Sequence, residues 1–144
     1  MNWRILLPKN FTFTVFLYFC GVINKGVKIL VLSENDACCG PMAAAFLRDY
    51  SPSFEVVSAG YNPSETLDPM TVTVMKECLS DLSGYVPRDV KAIDISDFDK
   101  VYECPDLPAP KTVDEFRRLR DFIKNDTYLF FKKLHPQTLN NSQL

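Results

Sequence analysis

The chain has 144 residues, 16 Lys and Arg against 18 Asp and Glu, a formal net charge of −2 and 47% hydrophobic residues. That suits one domain with a sizeable core, excludes a disordered, collagen-like or multi-domain chain, and gives no case for nucleic-acid binding. Five Cys without a Cys-x2-Cys pair, and His135 as the single His, argue against a disulfide framework, structural zinc, His–His metal sites and a Ser-His-Asp triad; no metal and no cofactor is expected, and a cytoplasmic, reducing setting fits.

Residues 1–26 carry Arg4, Lys9 and Lys25, no acid, and six of the eighteen aromatics. The apolar run from Phe11 to Ile23 is short for a membrane span, which needs about 20 residues. It has the length of a signal-peptide core, but the following Gly-Val-Ile-Asn-Lys-Gly is no small-x-small cleavage site. A secretory signal or anchor and an additional strand or helix are the competing readings. We favour a weakly structured extension or a misplaced start, with the domain running from 27 to 134 and without affinity for membranes. Without residues 1–26 the balance is 13 basic to 18 acidic.

Lys28–Leu32 is a short continuous apolar run, the pattern of a parallel strand covered on both faces. A polar turn, 33–40, precedes a helix expected to open at Pro41. Phe54–Ser58 is the second strand. Asp68 caps a second helix whose inner face is Met70, Val74, Met75 and Cys78. Val90–Ile95 suggests a short helix, and Lys100–Cys104 a third strand. Three prolines in 105–110 force a loop. Thr112-Val113-Asp114-Glu115 is a capping box opening a long helix that buries Val113, Phe116, Leu119, Ile123 and Phe130. The tail, 135–144, reads as flexible. The order is that of an α/β fold.

In such folds ligands bind at the carboxyl ends of the strands, which makes the loop Ser33-Glu34-Asn35-Asp36-Ala37-Cys38-Cys39-Gly40 the candidate site. A strand–loop–helix junction aims backbone N–H groups at one point and suits an anion. Several pieces in order carry a resemblance: Lys28–Leu32, Gly40-Pro41-Met42-Ala43, Val57-Ser58-Ala59-Gly60, Val74–Glu77, Asp97–Val101 and Glu115–Asp121. From about Val27 to Leu134 the chain resembles the low-molecular-weight protein tyrosine phosphatases and thioredoxin-coupled arsenate reductases, closer to the reductase branch. The resemblance implies a three-layer sandwich with a small central parallel sheet of three or four strands.

It also implies a chemistry. The family needs Cys-x5-Arg-Ser/Thr in this loop: a thiolate nucleophile and a guanidinium that grips two oxygens as a fork. An Asp in a later Asp-Pro pair is the general acid. Aligned on Pro41-Met42-Ala43, Ser33 takes the nucleophile position, Cys39 the Arg position, Gly40 the Ser/Thr position, and Ala109 the acid position. A Ser hydroxyl without a base attacks poorly at pH 7. Loss of the Arg removes contacts worth ~1.5–3 kcal/mol each. Glu34 and Asp36 are expected to repel a dianion by ~1 kcal/mol each. The resemblance therefore implies a divergent, catalytically impaired member.

The reductase branch also implies a redox relay, for which Cys38, Cys39 and Cys104 are the candidates. Cys104 matches the first or the later relay Cys according to where the gap is placed, and at least one relay Cys is missing. Thioredoxin is the expected partner if reductase activity survives. One alternative is an active enzyme using Cys38 or Cys39; another is an interaction module or a binder of soft metals or arsenite through the vicinal pair. The plainer readings are that both are small residues at a loop–helix junction, that Ser33 is a turn residue, that Cys78 is core, that Cys20 belongs to the extension, that His135 lies at the surface, and that Arg117, Arg118 and Arg120 form a solvated face beside Glu115 and Asp121.

Overall fold

Residues 26–135 are described by a computed structural model. Strand β1 (Lys28–Ser33) buries Ile29, Leu30, Val31 and Leu32, two on each face. Ile29 and Val31 enter the larger core, Leu30 and Leu32 the smaller one behind the sheet. No face of β1 meets water, which is why its apolar run is continuous. It pairs in parallel with β2 (Glu55–Gly60) on one side and β3 (Lys100–Glu103) on the other, giving the order β2-β1-β3. This is the three-strand form of the expected α/β sheet, and among the described residues no fourth strand follows β3.

Helix α1 (Cys39–Tyr50) starts two residues before the expected Pro41. Pro41 is its third residue, still among the four whose N–H has no acceptor within the helix. Gly40 to Leu47 are all buried. A helix buried all round must lie between layers, and α1 packs on the sheet and on α3 (Val113–Leu134). Thr112 and Glu115 form the expected capping box at the start of α3. Phe116, Ile123 and Thr127 are its buried residues, while Val113, Leu119 and Phe130 pack half-buried at the core's edge. Thr127 is tolerated in the core because its hydroxyl donates to the Ile123 carbonyl at 2.7 Å.

Helix α2 (Pro69–Lys76) is capped by Asp68, which accepts from the Met70 N–H at 2.9 Å. Its inner face differs from the expected one. Val74, Met75 and Thr71 are buried, Met70 is exposed, and Cys78 lies beyond the end of the helix. The helix has only about two turns, so three residues fill its contact with the core. The expected short helix at 90–95 is instead two 3-10 turns, Val90–Ala92 and Ile95–Asp97. Asp89 and Asp94 accept from N–H groups two residues on and tie each turn closed locally. Val90, Ile93 and Phe98 cover Leu30, Leu32 and Ala59, and form the third layer.

The arginines do more than solvate a face. Arg117 forks onto both carboxylate oxygens of Glu77 and reaches Asp114, and Arg120 binds Glu77 at 2.7 Å, Asp121 at 2.8 Å and the Val74 carbonyl at 2.9 Å. They tie α3 to the end of α2, while Glu115 serves the cap instead. His135 closes α3 with its ring against Phe54 and Phe131. No helix among the described residues is long and apolar enough to cross a membrane. The expectations for 1–25, Cys20 included, and for the tail beyond His135 lie outside the described residues.

Candidate functional site

At the carboxyl ends of β1 and β3 lies a cleft of about 700 Å³. Ser33, Glu34, Asn35, Cys38 and Cys39 form one wall; Tyr61, Glu103, Cys104 and the loop 105–110 form the other. Ser33, Cys38, Cys39, Cys104 and Ala109 are thus brought to one place, although they come from two stretches far apart in the chain. β1 supplies Ser33, the start of α1 supplies Cys39, and Cys104 follows β3 with its N–H on the Leu32 carbonyl at 2.8 Å. Asp36, Ala37 and Gly40 do not line the cleft. A second groove, of about 610 Å³, runs between β3 and α3 beside Val101, Leu129 and Phe130. It carries no thiol and sits away from the loop, so the cleft is the candidate site.

The loop is held by its backbone. The carbonyls of Ser33, Glu34, Asn35 and Ala37 accept from the N–H groups of Tyr61, Asn62, Ser64 and Asp68 at 2.7–3.1 Å. Two of the loop's own amides are already engaged: Asp36 N–H donates to Ser33 Oγ at 3.2 Å, and Ala37 N–H to Asn35 Oδ1 at 3.3 Å. Gly60 is required where the loop crosses β2, since a Cβ there would lie 2.9 Å from the Asp36 nitrogen. Gly40 is required for another reason. The space its Cβ would fill is taken by Ser33 Oγ (2.6 Å), Ser58 Oγ (2.8 Å) and Asp36 Oδ1 (3.0 Å).

Asp36 corrects an expectation. Its carboxylate does not face a ligand: the residue is fully buried, with φ of 51°. It accepts from the Ser58 hydroxyl, from the Tyr85 hydroxyl at 2.6 Å and from the Arg88 N–H at 2.9 Å. Asp and Asn are the side chains that best tolerate this backbone region, and the carboxylate then serves as an internal strut. Burial and the Asp36 carboxylate together push the Tyr85 hydroxyl pKa well up, so Tyr85 remains a donor. Sequence reasoning did not single out Ser58, Tyr85 or Arg88 for this role, because their convergence is entirely tertiary.

The thiols also pair differently from the vicinal reading. Cys38 turns toward Thr71, and burial pushes its pKa up to about 11. Cys104 has Cys39 as its neighbour instead, and the Cys39 thiol together with burial pushes the Cys104 pKa up strongly. Adjacent residues at a helix start point in different directions, so neighbours in sequence are not partners in space. Glu34, Glu103 and Asp106 are the charged side chains on the cleft wall, and no Lys, Arg or His is among the described residues lining it. Glu34 is held by the Asn62 amide at 2.6 Å and Glu103 by the Tyr61 hydroxyl at 2.8 Å. Glu103 and Tyr61 were not foreseen as part of the site.

The family model for low molecular weight phosphotyrosine protein phosphatase matches residues 28–124. The chain belongs to this family. Comparison with curated protein sequences finds no match. Among solved structures, an arsenate reductase in the phosphate binding state superposes with a TM-score of 0.69 at 20% identity, over 74% of this chain and 98% of that one. A low molecular weight phosphotyrosine phosphatase from Vibrio cholerae O395 superposes at 0.68 with 18% identity, over 78% and 99%. The YwlE arginine phosphatase from Geobacillus stearothermophilus gives 0.61 at 20% identity, over 79% and 96%. At these identities the likeness is one of fold.

Proposed function

We propose that this chain is a family member that has lost phosphoryl and arsenyl transfer and keeps a binding or regulatory role. One observation carries the reading: the cleft wall presents three carboxylates and no cationic side chain among the described residues. A dianion brought there meets repulsion and no guanidinium fork. Ser33 stands where the resemblance calls for the nucleophile, and its hydroxyl turns inward, where it accepts from the Asp36 N–H; a Ser hydroxyl is in any case a weaker nucleophile at pH 7 than a thiolate. Cys39, at the Arg position, faces Cys104. Ala109, at the acid position, has no proton to give.

The runner-up, an active enzyme attacking through Cys38, is disfavoured by the burial that keeps Cys38 a thiol at pH 7. Four described cysteines, Cys38, Cys39, Cys78 and Cys104, are free, which supports a reducing compartment, the cytoplasm, as the setting of this role. The test is p-nitrophenyl phosphate turnover and thioredoxin-coupled arsenate reduction by the full chain. Neither should exceed the uncatalysed background. Turnover that disappears in Ser33→Ala or Cys38→Ala would overturn the proposal.

A further inference from the structure

We propose that Cys39 and Cys104 form a two-coordinate site for a soft monovalent cation, copper(I) in the first place, at the floor of the cleft. Three observations carry this. The two thiols are neighbours that act directly on one another, one at the start of α1 and the other just past β3, where the Cys104 N–H is tied to the Leu32 carbonyl of β1. Both residues line the cleft, which gives an ion a way in. The carboxylates of Glu34, Glu103 and Asp106 on the same wall draw a cation in and repel oxyanions.

Ligand number selects the metal. Among the described residues no group of three or more His, Cys, Asp or Glu side chains is arranged around one point. Zinc takes four ligands in a structural site and three in a catalytic one. A dithiol by itself leaves zinc under-coordinated, whereas copper(I) is soft, prefers thiolate sulfur and is stable between two of them. On binding, two S–H bonds break and two Cu–S bonds form. Two protons leave to solvent, and copper stays monovalent, so no oxidant or reductant is consumed. The inference uses the same cleft as the function proposed above but does not depend on lost turnover. Phosphatase activity would end that reading and leave the metal titration unaffected.

The test uses the full chain, reduced and held without oxygen, titrated with copper(I) against a copper(I)-specific chelator, with silver(I) as a probe that cannot change oxidation state. Native mass spectrometry should show one copper bound with two protons lost. Cys39→Ser and Cys104→Ser should each weaken binding by more than the ~10–100-fold that loss of a group merely supporting a ligand costs. Cys78→Ser should bind like the parent. Alkylation of the unaltered chain should then show Cys39 and Cys104 shielded by metal and Cys78 not, a readout that needs no variant to fold. Failure of the parent to take up either ion, equal affinity in the Cys39→Ser/Cys104→Ser double variant, zinc bound as tightly as copper(I), or loss of two thiols as a disulfide without metal would each overturn the proposal.

Discussion

Truncation of Asp36 to Ala attacks the strut that shapes the loop. The carboxylate is fully buried and accepts three hydrogen bonds, from Ser58, Tyr85 and the Arg88 N–H. Tyr85 retains an alternative acceptor in the Ser58 carbonyl at 3.1 Å. The Ser58 hydroxyl and the Arg88 N–H would be left unpaired. A buried donor without a partner costs ~1–3 kcal/mol. Ala at a φ of 51° adds ~1 kcal/mol or more of backbone strain. Relief of the buried charge returns part of this, so the loss should be about 3–5 kcal/mol, a large part of the ~5–15 kcal/mol that holds a domain together. Asp36→Asn keeps the shape, the tolerance of positive φ and one acceptor oxygen, and should cost about 1–3 kcal/mol. Urea unfolding at pH 7, followed by far-UV circular dichroism with unchanged slope, measures both. An Ala variant within about 0.5 kcal/mol of the parent, the range of an ordinary surface substitution, would refute the strut.

Alkali should weaken the fold through Cys38. Its pKa is 9.0 in the open chain and about 11 when buried, so between those values the folded state holds the extra proton. Stability therefore falls as pH rises from 9 to 11, by ~1.4 kcal/mol per pH unit for this group, and Cys38→Ser should flatten the decline in urea titrations. Acid acts through Glu77, held down to about 2 from 4.5 by hydrogen bonds from Arg117 and Arg120. The unfolded chain takes up that proton first as pH falls, so stability drops from pH 4.5 toward 2, and Glu77→Gln should remove that part of the acid slope. Ile123→Ala, at a fully buried site between α3 and the core, should cost about 2–5 kcal/mol in urea or thermal unfolding with no change in secondary structure at 25 °C.

The signals legible in the sequence were local ones. The continuous run Ile29–Leu32 marked a strand covered on both faces, and Asp68 and the Thr112–Glu115 box marked helix starts, because each rests on residues within one turn or one strand. The family resemblance marked the loop after β1, since loop and helix start are contiguous in sequence. Burial of Asp36, pairing of Cys39 with Cys104 in place of Cys38, and the joining of Glu103 and Tyr61 to the cleft were decided by tertiary structure alone. Each depends on parallel register: β2 and β3 flank β1 so that residues far apart in the chain finish at one end of the sheet. A side chain's direction at that end is set by the layer packed against it, and no local pattern of residue types encodes that.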